Sequence, residues 1–378
     1  MRLNKLAKRI FAVGMAVSMM MASTGISFGA YEYDSVAGGT TGFTKYLALE
    51  DGVTVPNVEF TFTVASGTAD EANGILAGPA GATVTYGSDT ALKFDSSMSV
   101  ADVTDGAIDG TAVTGTKYAQ KDATVDFTGV SFSKPGIYRY ELKEDTVTAP
   151  GITRKSNETL YLDVFVTDNN GALAVSSYVL HTDSGKPTAQ SEEETDTADK
   201  VKGFVNEYTT QELTFEKQIA GNQGDKTKYF EFTLELENEN LKGSTIAVDI
   251  SGATSSDNTG KTSITLDATT GKASETYKLT HGDKVVVKGL PEGTKYTVKD
   301  AYEDYTATAT GGTISDDPTA KTASISDTIA SAAVDLVFTN TKNGTIPTGV
   351  ILDSAPFILV IALAAAALVI TAVRKRAR

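Results

Sequence analysis

Between the two ends of the chain, apolar and polar residues alternate with a period of two in short stretches rich in Val, Thr, Tyr and Phe, separated by clusters of Gly, Asp, Asn and Ser. That period predicts half-buried strands, with Glu59 to Val64, Thr124 to Phe132, Thr159 to Thr167 and Lys228 to Leu236 as examples. No long segment there keeps a helical period, so the expected fold class is all-β, built as two tandem β-sandwich domains. The turn Asp168-Asn169-Asn170-Gly171 separates the runs Leu160 to Val166 and Ala172 to Leu180 and predicts a hairpin. No bidentate acid follows at the spacing that a calcium loop needs. Thr182 to Lys200, with Gly185, Pro187 and Glu192-Glu193-Glu194, has the composition of a mobile loop.

The same period, applied to polar residues, singles out six of them. Lys45 is in phase with Phe43, Leu47 and Leu49; Glu144 with Tyr138, Tyr140 and Leu142; Asn206 with Phe204. A Lys, an acid and an Asn recur in that order in the second half. Lys217 is in phase with Leu213, Phe215 and Ile219, Asp300 with Tyr296 and Val298, and Asn340 with Val334, Leu336 and Phe338. Each of the six points into a core. A buried ammonium is costly unless paired, and desolvation lowers a Lys pKa while raising that of a carboxylic acid. A neutral amine is a nucleophile, an Asn side-chain carbonyl an electrophile, and a protonated acid between them can polarise the carbonyl and carry protons. A hydrogen-bonded polar cluster is the alternative reading of each triplet, and a Lys reaching out to the rim is the alternative for Lys45 or Lys217 singly.

The two ends change the picture. Arg2, Lys5, Lys8 and Arg9 precede an apolar stretch from Ile10 to about Met21 and small residues ending Phe28-Gly29-Ala30, the form of a secretory signal peptide over residues 1–30. At the other end, Ile346-Pro347-Thr348-Gly349 is followed by an apolar run from Pro356 to Val373 and by Arg374, Lys375, Arg376 and Arg378. At about 1.5 Å per residue the run suits a helix crossing about 30 Å of hydrocarbon, with the basic tail holding its end in the cytoplasm. An ordinary tail anchor is the alternative.

Charge and cysteine content narrow the partners. Of 33 basic and 48 acidic groups, residues 1–30 and 350–378 hold eight and one, so the remainder carries a net charge of −22. Such a surface repels nucleic acid phosphates and anionic lipid. There is no Cys, so an exported protein here is stabilised without disulfides. No metal site or catalytic triad is legible, and no cofactor is expected; the two His, His181 and His281, lie near expected turns and should face solvent.

The residues just named also carry a family resemblance. Gly289-Leu290-Pro291-Glu292-Gly293-Thr294-Lys295-Tyr296-Thr297-Val298-Lys299-Asp300 resembles a stretch of CnaB-type immunoglobulin-like domains. Pro135-Gly136-Ile137-Tyr138-Arg139-Tyr140-Glu141-Leu142-Lys143-Glu144 resembles the streptococcal isopeptide-linkage pilins, the FctA-like major pilins, and Phe204-Val205-Asn206 and Phe338-Thr339-Asn340 resemble their last strand. Ile346-Pro347-Thr348-Gly349 with its membrane stop resembles the sortase sorting signal of Gram-positive surface proteins in its pilin variants.

The resemblance implies Lys45–Asn206 and Lys217–Asn340 isopeptide bonds formed once per molecule without turnover, so no enzyme, with Glu144 and Asp300 as the catalytic acids. Asp300 stands where such domains usually carry Glu, and Glu303 is out of phase with it. Also implied are sortase cleavage between Thr348 and Gly349 and an acceptor Lys shortly before Asn206. Lys200 and Lys202 qualify as acceptor; Lys200 is preferred, because the loop ends there and Val201 follows it.

The expected organisation is a signal peptide over 1–30, an N-terminal pilin sandwich over 31–207, a CnaB-like sandwich over 208–342 and a wall-sorting signal over 343–378. The expected function is the backbone subunit of a sortase-assembled covalent pilus on a Gram-positive cell wall. A pilus-type sortase and further copies of the chain would be its partners, with minor pilins and peptidoglycan beyond them. It would touch the membrane only before sortase acts. A monomeric wall-anchored adhesin is the alternative, with an exported enzyme the least supported reading.

Overall fold

In the computed structural model, residues 34–35, 39–169, 171–183, 200–253 and 255–344 are described. The segments read as signal peptide and as sorting signal, Thr348 and Gly349 included, lie outside them, as does nearly all of the acidic loop. Among the described residues, no helix is long and apolar enough to cross a membrane.

Apart from three short 3-10 turns, the regular structure of the described residues is all β, as the alternation predicts, and forms two sandwiches in tandem. The principal strands of the first are β1 (Thr40–Leu49), β2 (Phe62–Ser66), β3 (Lys117–Asp126), β4 (Gly136–Glu144), β5 (Ile152–Arg154), β6 (Thr159–Asn169), β7 (Ala172–His181) and β8 (Gly203–Tyr208). One sheet runs β5-β8-β1-β3 and ends on the short strand Thr83–Thr85, while the other contains β7-β6-β4-β2. Between them lies a core in which Leu47, Phe60, Leu142, Leu160 and Phe204 are sealed from solvent.

The second sandwich has β9 (Gln211–Ala220), β10 (Phe230–Glu237), β11 (Thr245–Ser251), β12 (Lys272–Leu279), β13 (Lys284–Leu290), β14 (Lys295–Ala301), β15 (Thr306–Thr310), β16 (Thr322–Thr328) and β17 (Val334–Thr341). Its sheets contain β11-β13-β9-β17-β15 and β12-β10-β14-β16. Only Thr209 and Thr210 separate the last strand of the first sandwich from β9. At that joint the Tyr208 hydroxyl donates to the Gly289 carbonyl at 3.2 Å, and the Asn57 amide donates to Ser244 Oγ at 3.1 Å.

In each sandwich the first and last strands are parallel neighbours, β1 with β8 and β9 with β17. This pairing is what sets the site. Gly203 is required where β8 meets β1, because a Cβ there would overlap the Thr44 carbonyl.

Two expected strands need correction. Glu59 to Val64 is not continuous: Val58–Phe60 pairs with Leu92–Phe94, and Phe62 then opens β2, so the chain changes partner at Thr61. The stretch expected over Thr124 to Phe132 ends at Asp126, whose Oδ1 accepts the Thr128 amide at 2.8 Å and turns the chain. The Asp168–Gly171 turn does close a hairpin between β6 and β7, with Asp168 Oδ1 accepting the Gly171 amide.

Candidate functional site

Three strands bring Lys45, Glu144 and Asn206 together inside the first sandwich. Lys45 is on β1 opposite Phe204 of β8, and Asn206 lies two residues further along β8, on the same face. Glu144 ends β4 on the facing sheet, opposite Phe62. None of the three is more than 1% exposed. Lys45 Nζ is 2.8 Å from Glu144 Oε1, and Asn206 Nδ2 donates to that same oxygen at 2.9 Å. The amine lies over the Phe60 ring, 4.6 Å from its centre. Asn206 Oδ1 is buried with no hydrogen-bond partner. An amide oxygen held dry beside an amine and a carboxyl group is a polar group left ready for reaction or costly to keep.

The second sandwich repeats the construction at the same register. Lys217 on β9 is opposite Phe338 of β17, and Asn340 again lies two residues on. Asp300 on β14 is opposite Phe232. All three are sealed from solvent. Lys217 Nζ donates to Asp300 Oδ2 at 2.5 Å and lies over the Phe230 ring at 4.4 Å, while Asn340 Nδ2 reaches Asp300 Oδ1 only at 3.5 Å. Asn340 Oδ1 is buried without a partner, like its counterpart. The shorter acid thus reaches its amine but stretches to its amide, the weakness that one methylene less predicts.

Burial dominates the electrostatics. It pulls the Lys45 amine down from 10.5 to about 8, with the Glu144 carboxylate working against the shift and the Arg154 charge adding to it. Burial pulls Lys217 down to about 8 as well, opposed by Asp300, whose own carboxyl burial pushes up. Both amines are therefore partly neutral near the pH at which most proteins work, which makes each a competent nucleophile.

The reading of polar phase left out the aromatic box. Phe60 lies over the first Lys with Phe62 opposite Glu144, and Phe230 and Phe232 both lie beside the second Lys, so each sandwich carries a Phe-x-Phe pair at its triad. The signal was present as Phe60-Thr61-Phe62 and Phe230-Glu231-Phe232. Also missed was Arg154, whose Nε donates to Glu144 Oε2 at 3.1 Å. Glu303 takes no part in the second site and pairs with Lys228 instead.

Neither Lys200 nor Lys202 joins a triad, although the Lys202 carbonyl accepts the amide of Thr44, next to Lys45, at 2.9 Å. The Lys200 backbone is bridged to His181, and Lys202, exposed, gives its amide to Asp109 Oδ2 at 2.5 Å. Both precede β8, at the end of the first sandwich remote from the joint. The chain leaves β17 beside Ala220, at the end of the second sandwich remote from the joint.

The solvent-facing expectation for His181 is wrong: it is 1% exposed. Its Nε2 lies 3.1 Å from Asp163 Oδ2, and Asp163 is also held by Arg139 through two 2.7 Å hydrogen bonds. β7 continues to His181 in register with Tyr161, so the ring is covered rather than turned outward. His281, half-exposed at a turn, accepts the Ile219 amide on Nδ1.

Comparison with known proteins identifies the first sandwich. Residues 43–209 match the family described as Spy0128-like isopeptide containing domain, FctA. The first domain belongs to that family. Residues 211–342 match a domain of unknown function, DUF7601. A pilin of Streptococcus pyogenes serotype M1 is 27% identical over 119 residues, which are 31% of this chain and 31% of that relative. The match therefore spans less than a third of the relative's length. The crystal structure of the major pilin from Streptococcus pyogenes superposes with a TM-score of 0.52 at 21% identity, covering 82% of this chain and all of that one. A single-substitution mutant of that pilin gives a TM-score of 0.50 at the same identity and coverage. At that identity the likeness speaks for the fold, two sandwiches in series, and the FctA match carries the major-pilin resemblance read from the sequence.

Proposed function

We propose that this chain is the backbone subunit of a sortase-assembled covalent pilus, tied internally by Lys45–Asn206 and Lys217–Asn340 amides. The observation that carries the reading is the repetition: two buried Lys-acid-Asn triads, at the same strand register, in two sandwiches that share no strand.

The chemistry follows from the contacts. Lys45 Nζ gives a proton to Glu144 Oε1 and, now neutral, attacks Asn206 Cγ. The Cγ–Nδ2 bond breaks as the carboxyl group relays a further Nζ proton to Nδ2. Ammonia leaves as ammonium with the proton first taken from the Lys, and one amide remains. Fixed placement supplies the effective concentration that so slow an aminolysis needs. Asp300 serves Lys217 and Asn340 in the same way, over the longer 3.5 Å contact.

Between subunits the reading is export, cleavage after Thr348 and transfer of its acyl group to a neighbour's Lys200, with Lys202 as the second candidate. The acceptor and Gly344, four positions before the donor in the sequence, lie at opposite ends of the tandem, which suits a head-to-tail contact that need not close on itself and so builds a fibre. Support comes from Gly344, the last described residue, which follows β17 at the far end and stands four positions before Thr348.

Expression with a pilus-type sortase tests this. The wild-type chain and Lys202→Arg should give a ladder of polymers that survives boiling detergent, and Lys200→Arg should give monomers only. Monomers from the wild type would instead favour the wall-anchored adhesin.

A further inference from the structure

We propose that Arg154 is a positioning residue for the Lys45–Asn206 bond, holding Glu144 by one carboxylate oxygen so that the other is left to serve both reacting side chains. The inference rests on the reading of that triad as a bond-forming site.

Arg154 closes β5, directly opposite Asn206 of β8, so the strand pair that presents the amide also presents the guanidinium. From there the side chain reaches across to the facing sheet. Nε donates to Glu144 Oε2 at 3.1 Å, and the terminal Nη2 donates to the Glu144 carbonyl at 3.1 Å and the Asp145 carbonyl at 3.4 Å. Nη1 lies 3.3 Å from Glu158 Oε2 at the rim, where the Arg side chain is 25% exposed. A planar fork held at this many points has one orientation, and it fixes the acid it grips.

The consequence shows in how the carboxylate is shared. With Oε2 occupied, Oε1 alone faces the reactants and meets Lys45 Nζ and Asn206 Nδ2 at 2.8 and 2.9 Å. One oxygen touching both nitrogens is the shortest path for a proton from nucleophile to leaving group. A Glu not gripped in this way turns freely about its last side-chain torsion and exchanges its oxygens. Asp300 shows the contrast: it has no guanidinium partner among the described residues, and its two oxygens are divided, Oδ2 to Lys217 and Oδ1 to Asn340.

Arg154 also adds a charge. A cation beside the Lys45–Glu144 pair disfavours the pair's extra proton, in the direction in which burial already moves Lys45. The pair already holds the one proton that the reaction uses, and removing that cation lets it take up a second, inactivating proton at higher pH. The acid limb of bond formation should therefore move up in pH, whereas a loss of packing alone would leave it where it was.

The test follows the full chain made by cell-free synthesis, pulsed and then chased over a series of pH values. Each bond is read separately by the ammonia lost from its cross-linked peptide. Arg154→Gln should form Lys45–Asn206 at least about tenfold more slowly, with the acid limb at higher pH, and form Lys217–Asn340 as the wild type does. Arg154→Lys keeps the charge but not the fork, so it should be slower than wild type with the limb unmoved. Wild-type rates in either variant would overturn the proposal, as would an unmoved limb in Arg154→Gln. If Arg154→Gln does not fold, the rate of Arg154→Lys decides alone. A wild-type chain that never forms the bond would remove the bond-forming reading itself, and this inference with it.

Discussion

Pulled from its two ends, the wild-type chain should extend very little, while Lys45→Ala should lengthen by on the order of 500 Å as its first sandwich unravels. Tension entering ahead of β1 meets Lys45 within a few residues. A Lys45–Asn206 amide passes it directly to β8, then through Thr209 and Thr210 to β9 and Lys217, and from there to Asn340 near the end of β17. The strands between each pair are then outside the load path, and the force is borne by covalent bonds. The parallel pairing of first and last strands makes this path short, because Lys and Asn sit on neighbouring strands two residues apart in register. Single-molecule extension separates the cases: equal lengths for wild type and Lys45→Ala would mean that no covalent link spans the first sandwich.

The second large effect is thermal. Each amide would close a loop of well over 100 residues, which in the chain-entropy model removes about 5 kcal/mol of unfolded-state freedom. For domains of this size that corresponds to a fall in melting temperature on the order of 10–20 °C when the link is lost. Glu144→Gln is the useful variant, because it keeps the size of the buried side chain while removing the acid that relays the proton. Its first sandwich should melt lower by that amount while the second melts as in the wild type. Calorimetry that resolves the two transitions checks it, and an unchanged first transition would count against the link.

Much of this was legible because the side-chain period of a strand is local. Lys45, Glu144, Asn206, Lys217, Asp300 and Asn340 could each be assigned to an inward face from one to three in-phase neighbours, and each is buried. What the sequence hid was which strands become neighbours. Arg154 reads as an ordinary polar residue at the end of a short strand until β5 is seen beside β8 and facing the end of β4. The break at Thr61 has the same origin, since only pairing shows that Phe60 and Phe62 belong to different strand partners. The burial of His181 is not legible in the sequence because its partner Asp163, and the Arg139 that holds Asp163, lie on other strands of the same sheet, 18 and 42 positions away in the chain. The aromatic pairs are the exception: Phe60-Thr61-Phe62 and Phe230-Glu231-Phe232 are a repeat legible in the sequence itself.

Tandem mass spectrometry of the purified chain tests the central claim most directly. The account predicts a mass short of the sequence by two molecules of ammonia, with one branched peptide joining Lys45 to Asn206 and another joining Lys217 to Asn340. A full-length mass with no ammonia lost, and four unmodified peptides carrying those residues, would contradict it.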